Sequence, residues 1–243
     1  TEVSSALTDL LLTPIPTTQP GTTATPSGTT TPAATTSPAV EPTLSPDDPA
    51  AKLGTPDWVD SLNDAKYWVI DEDQYTIAKL QGGYLVLTGK QTVAGWRLAG
   101  TKSLTNAYVE AKFQTETSCK NNDSYGIFFR SPSLTSPNQG YLFGITCDGR
   151  YFLWKWDGKV KPNGKLTTLI DYTASSAINT GANQINKLGV LMVSNQLQFY
   201  VNGVVLKQIS DSAYPKGYIG IFVRPSTTTG FTVKLDEMKY WTD

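Results

Sequence analysis

Histidine is absent from all 243 residues. That absence removes the side chain most often used as a general base near neutral pH and most often used as a metal ligand. Cysteine is nearly absent: Cys119 and Cys147 are the only two, with no CxxC pair, so nothing in the chain points to a zinc site. Lys, Arg and aromatic residues are missing from everything before Lys52, and all 26 aromatics lie from Trp58 onward. Runs of basic residues are also missing; the 20 Lys and Arg are scattered singly. A surface that tracks phosphates needs clustered positive charge, so nucleic acid is not an expected partner. Long apolar runs are lacking too. Leu10-Leu11-Leu12, the longest early one, is far too short to span a bilayer, so no transmembrane segment is expected.

What is there divides the chain into three parts. Residues 1–12 (TEVSSALTDLLL) suit a short amphipathic helix or an extended arm. Residues 13–51 form a Thr/Pro-rich stalk: between Thr13 and Pro49, 12 of 37 positions are Thr and 9 are Pro. That composition offers too little apolar surface to offset the entropy of ordering a core, and Pro favours an extended spacer. The exposed hydroxyls of Thr17, Thr18, Thr22, Thr23, Thr25, Thr29, Thr30, Thr31, Thr35 and Thr36 make them candidates for O-glycosylation, with an unmodified linker as the plain alternative. Up to Ala51 there are five acids and no base. The third part, residues 52–243, holds 20 bases against 16 acids, about +4. The chain begins at Thr1 without a basic-then-apolar leader, and is expected to be a mature form that has lost its targeting signal.

From Tyr75 the text becomes strands and turns. YTIAKL and YLVLT flank Gln81-Gly82-Gly83, and AYVEAKF alternates Val109, Ala111 and Phe113 with Tyr108, Glu110 and Lys112. YGIFFR, GYLFGITC, RYFLWKW, KLGVLMV, LQFYV, VVLKQI, YIGIFVR and FTVKLDEMKYW follow, punctuated by Asp148-Gly149, Asp157-Gly158 and Asn202-Gly203. Asp-Gly and Asn-Gly between alternating runs are strong hairpin signals. About a dozen strands and no helix of ten residues predict an all-β, antiparallel, two-sheet, jelly-roll-like sandwich. YGIFFR and GYLFGITC should pair across the loop 131–139, which brings Cys147 near Cys119. The cysteines then read as a disulfide, with two buried free thiols as the alternative. Closing a loop of 28 residues would contribute about 3–4 kcal/mol on the chain-entropy model.

The segments NAYVEAKFQT, DSYGIFFR, GYLFGITCDGRYFLWKWDG, NQLQFYVNGVVL, GYIGIFV and VKLDEMKYW stand in an order that resembles the concanavalin A-like lectin/glucanase sandwiches. The likeness is to their laminin G-like and 3-keto-disaccharide-hydrolase-type branch, and it runs from about Trp58 to Trp241. The stalk resembles those that present such domains on bacterial surface lipoproteins. The resemblance implies a fold more than a function, because the same sandwich carries lectins, glycosidases, adhesion modules and structural domains.

Family-16 glucanases of this fold carry Glu-x-Asp-x-x-Glu on one strand; here no Glu has an Asp two positions later. Asp71-Glu72-Asp73 reads as a solvated loop, and no catalytic residue is assigned. Laminin G-like domains imply a calcium site, for which Asn121, Asp123 and Asp148 are the candidate oxygens, but their spacing equally suits ordinary polar loops, and no cofactor is expected. Candidate ligand contacts are Trp154 and Trp156, which share a strand face with Phe152, the pair Trp96-Arg97, and Arg130 and Arg224, which end the matching runs GIFFR and GIFVR. Core packing is the alternative for each.

The expected role is non-catalytic, structural or adhesive, at an extracellular bacterial surface. An arm donated to a neighbour's sheet edge would make the chain a self-assembling filament subunit. The alternatives are a stalk-tethered module binding surface glycan or protein, and a glycoside hydrolase. Its partners are therefore copies of itself, or surface glycan or protein.

Overall fold

The structure is a computed structural model that describes residues 5–11, 48–227 and 230–243. Residues 13–47 of the stalk, with all ten candidate glycosylation threonines, lie outside the described residues.

Among the described residues fourteen strands, against the dozen or so expected, build the two antiparallel sheets that the alternation predicts. The first sheet runs in the order β12 (Val204–Ser210), β11 (Gln196–Val201), β10 (Ile185–Val193), β5 (Ala107–Thr115), β14 (Thr232–Thr242), β3 (Tyr84–Gly89) and β2 (Thr76–Gln81), with the short β1 (Trp58–Asp60) paired to β14. The second sheet runs β4 (Gly95–Leu98), β13 (Tyr218–Arg224), β6 (Ser124–Ser131), β7 (Gln139–Thr146), β8 (Arg150–Asp157) and β9 (Lys165–Ala174). Inner faces meet in one core. Val109, Ala111 and Phe113 of β5 and Ile127 and Phe129 of β6 belong to it.

The cysteines do form a bridge. β6 and β7 pair from Ser124↔Thr146 through Phe129↔Tyr141, so Cys147 emerges beside the loop that carries Cys119. Their Cα atoms are 5.3 Å apart in the Cys119–Cys147 disulfide.

The outer face of the first sheet is covered. Helix α1 (Ser5–Leu11) places Leu7, Leu10 and Leu11 on one side at helical spacing, against Tyr108, Leu191, Tyr200 and Trp241. A second short helix, α2 (Ala50–Leu53), joins the same cluster. Beneath them Glu110 is buried between Lys187 (3.3 Å) and Lys239 (3.1 Å), and Asp48 pairs with Lys187. Tyr108 and Glu110, read from alternation as the solvent side of a half-buried strand, are therefore interior. Burial raises both of their pKa values; for Glu110 the two lysines oppose the rise.

Of the two expectations for the arm, Ser5–Leu11 take the helix, and it lies on the chain's own sandwich. Among the described residues no helix is long and apolar enough to cross a membrane.

Candidate functional site

The outer face of the second sheet carries a different kind of cluster. On β8 the alternation puts Tyr151 and Leu153 into the core and Phe152, Trp154 and Trp156 outward. β13 sends Phe222 and β6 sends Phe128 to the same outer face, where they pack with Leu98 and Leu142. Phe152 and Trp154 have ring centroids 4.2 Å apart, and Trp96 lies 4.9 Å from Phe128. Gly144 of β7 lies at the centre of this layer. A Cβ there would fall 2.6 Å from the ring tips of both Phe152 and Phe222, so the two rings close over a position that admits no side chain.

Above this aromatic floor opens a cavity of about 770 Å³, within the usual ~300–1,000 Å³ range of small-ligand sites. Trp96, Trp154, Trp156 and Leu142 line it from the sheet, and Arg224 joins them from the end of β13. One side is closed by Tyr75 and the segment Gln91–Ala94, the other by Asn138, Gly158, Asn163 and Leu166. Val93 is 48 % exposed and Leu166 51 %, so apolar surface continues onto the rim. The Arg224 guanidinium lies 5.4 Å from the centroid of the Trp154 ring. Among the described residues no Asp or Glu lines the cavity.

The site is held from behind. Tyr214 donates its hydroxyl to the Trp156 carbonyl at 2.9 Å. Asp211 accepts from Tyr141 at 2.5 Å and pairs with Lys155 at 2.7 Å. Burial would raise the pKa of Asp211, but the Lys155 and Tyr141 bonds outweigh it and hold the carboxyl below its ordinary value. Gly164, at φ 76°, faces the Trp156 indole so closely that any side chain there would enter the ring.

The structure brings four of the six candidate contacts together, Trp96, Trp154, Trp156 and Arg224, and separates two. Arg97 points to the other side of β4 and is paired with Asp71 (2.7 Å) and Asp73 (2.8 Å). It thereby ties down the loop leading to Tyr75; Asp71, Glu72 and Asp73 are exposed, as a solvated loop, and the two aspartates also anchor Arg97. Arg130 is fully buried, and its guanidinium donates to the carbonyls of Ser194 (2.6 Å), Thr105 (3.2 Å) and Tyr214 (3.3 Å). The pairing of β6 with β13 shifts register between Tyr218 and Gly220, and Arg130 sits there at φ 53°. That bulge turns the side chain inward, where plain alternation from Phe128 would have sent it outward.

The calcium candidates are each engaged within the protein. Asp123 accepts from the backbone N–H and hydroxyl of Ser226 and from Lys120 N, while Asp148 pairs with Arg150 at 2.6 Å and accepts from Thr146. Asn121 has φ 51° and offers its carbonyl to Asp148 N. Among the described residues no three Asp, Glu, Cys or His side chains are grouped to hold a metal ion.

Tyr75, the segment 91–94, Asn138 and the β8–β9 connection were missed from sequence. Asn163-Gly164 was a legible turn signal; nothing marked the others.

No family model matches the chain, and no curated protein does. Solved structures do. A Bacillus subtilis protein of unknown function with a galectin-like fold aligns over 79 % of this chain and 97 % of its own, at 12 % identity and TM-score 0.55. An endo-β-galactosidase from Clostridium perfringens that releases GlcNAcα1-4Gal aligns over 83 % and 65 %, at 12 % identity and TM-score 0.52. The GH16 protein of a Bacteroides ovatus mixed-linkage glucan system, in complex with product, aligns over 75 % and 99 %, at 11 % identity and TM-score 0.52. The fold is the concanavalin A-like, galectin-like sandwich. At these identities the likeness is one of fold alone.

Proposed function

We propose that this chain is a non-catalytic glycan-binding module, carried on its Thr/Pro-rich stalk at an extracellular surface. The observation behind the reading is the cavity itself: three tryptophans on one sheet face, bordered by amide and hydroxyl side chains and lined by no carboxylate. A pyranose ring has an apolar C–H face that stacks on an indole and a hydroxyl edge that needs donors and acceptors. Glycoside hydrolysis by the usual two-carboxylate route needs an acid and a second carboxylate beside the scissile bond, and none lines this cavity. The disulfide accords with a location outside reducing cytosol. The filament reading needs the arm's apolar residues for a neighbour, and those in α1 pack on the chain's own sandwich, so the tethered module is preferred.

A glycan array probed with the full chain and with Trp156→Ala is the test. Binding to a defined set of oligosaccharides should fall at least tenfold in the variant while its melting temperature holds. Sustained release of reducing sugar, abolished by changing a single Asp or Glu, would replace this reading with the hydrolase.

A further inference from the structure

We infer that the sugar chain this cavity takes is acidic, bearing carboxylate or sulfate groups, with Arg224 as the residue that reads the charge. The inference rests on the glycan-binding reading above and adds the substrate class.

The charges around the cavity carry it. Among the described residues Arg224 is the only ionised one in the lining. Among the described residues it has no carboxylate within ion-pair distance, whereas Arg97 and Arg150 each do. Its guanidinium carbon lies over the Trp154 ring at 5.4 Å, a contact that uses none of its N–H groups as donors to an oxygen. A guanidinium edge matches two oxygens of a carboxylate or sulfate bidentately, and it matches lone hydroxyls poorly.

The rim has the same sign. The connection between β8 and β9, which supplies Gly158 and Asn163 to the lining, also carries Lys159 and Lys161, and Lys165 opens β9. All three are exposed, and none is in an ion pair among the described residues. Of the acids on the neighbouring segments, Asp157 keeps its charge, its partners being neutral, and the others are bonded to cations. Asp157 accepts from Gln139 and from Lys159 N, Glu72 pairs with Lys90, and Asp71 and Asp73 hold Arg97. Arg224 and these three lysines thus place four cations without a carboxylate partner, among the described residues, in and around this cavity. Such a low-dielectric cleft attracts an anion over about one Debye length, ~8–10 Å at ordinary ionic strength.

Titration calorimetry on the full chain tests this with four probes: oligogalacturonate, chondroitin sulfate oligosaccharide, neutral galacto-oligosaccharide and polyglutamate. At low salt at least one acidic sugar should bind ten or more times tighter than the neutral one, with the advantage shrinking as salt rises. Arg224→Gln should erase that advantage, and Arg224→Lys should recover part of it. The two acidic sugars separate carboxylate from sulfate as the group read. Equal affinity for neutral and acidic sugars overturns the inference and leaves the glycan reading intact, whereas no sugar binding at all removes that reading. Polyglutamate binding as tightly as the sugars, or an acidic preference unchanged in Arg224→Gln, also overturns the inference.

Discussion

Replacing Arg130 by Met separates a structural arginine from a ligand contact. The substitution keeps an unbranched stem and removes the guanidinium that serves the carbonyls of Ser194, Thr105 and Tyr214. A buried acceptor left without its donor costs ~1–3 kcal/mol, so three of them set an upper bound of ~3–9 kcal/mol. Part of this is returned, because burying a guanidinium carries a desolvation cost of several kcal/mol. That cost shows in two ways: burial lowers the pKa of Arg130, against the influence of Tyr141 and Asp211, and its Nε lacks a partner. The net expectation is a loss of about 2–4 kcal/mol. With a urea m-value of ~2–3 kcal/mol/M, the midpoint should fall by ~1–2 M. Tryptophan fluorescence reports the transition, and Arg224→Gln is the control, expected within ~0.5 kcal/mol of the parent. A parent-like midpoint for Arg130→Met, with glycan binding lost, would refute the structural assignment and return Arg130 to the ligand site.

Three other outcomes are expected. Changing Cys119 and Cys147 together to Ala should lower stability by ~3–4 kcal/mol in urea, since the bridge constrains the unfolded chain. Gly164→Ala should weaken sugar binding about tenfold by displacing the Trp156 indole, read by calorimetry, and cost ~1–2 kcal/mol through its positive φ. Asp73, Asp148 and Asp211 have pKa values held below the ordinary 3.8, each against an opposing push from burial. Depressed carboxylates contribute stability that is complete above 3.8 and lost as pH falls through their folded values. Glu110, raised by burial, contributes the opposite sign from its raised value down to 4.5. Urea midpoints measured from pH 6 to pH 2 should therefore drop mainly below pH 4, and Asp211→Asn should lose part of that drop.

The period-two patterns and the Asp-Gly and Asn-Gly turns determined the sandwich, because alternation and hairpin chemistry are local and a strand's own residues declare which side is apolar. The Cys119–Cys147 pairing was legible for the same reason, since it followed from one hairpin register. Which outer face stays open was not legible. Tyr108 with Glu110 read as outward and the Phe152–Trp154 face was undecided, and only tertiary packing lays α1 and α2 over the first pair and leaves Trp154 facing a cavity with Phe152 in the layer beside it. The two arginines make the sharpest contrast. GIFFR and GIFVR are nearly the same word, yet Arg224 continues a regular strand onto the cavity while Arg130 turns into the core. The difference is one bulge, fixed by how β6 registers against β13, and a register between strands distant in sequence is a property of the assembled sheet.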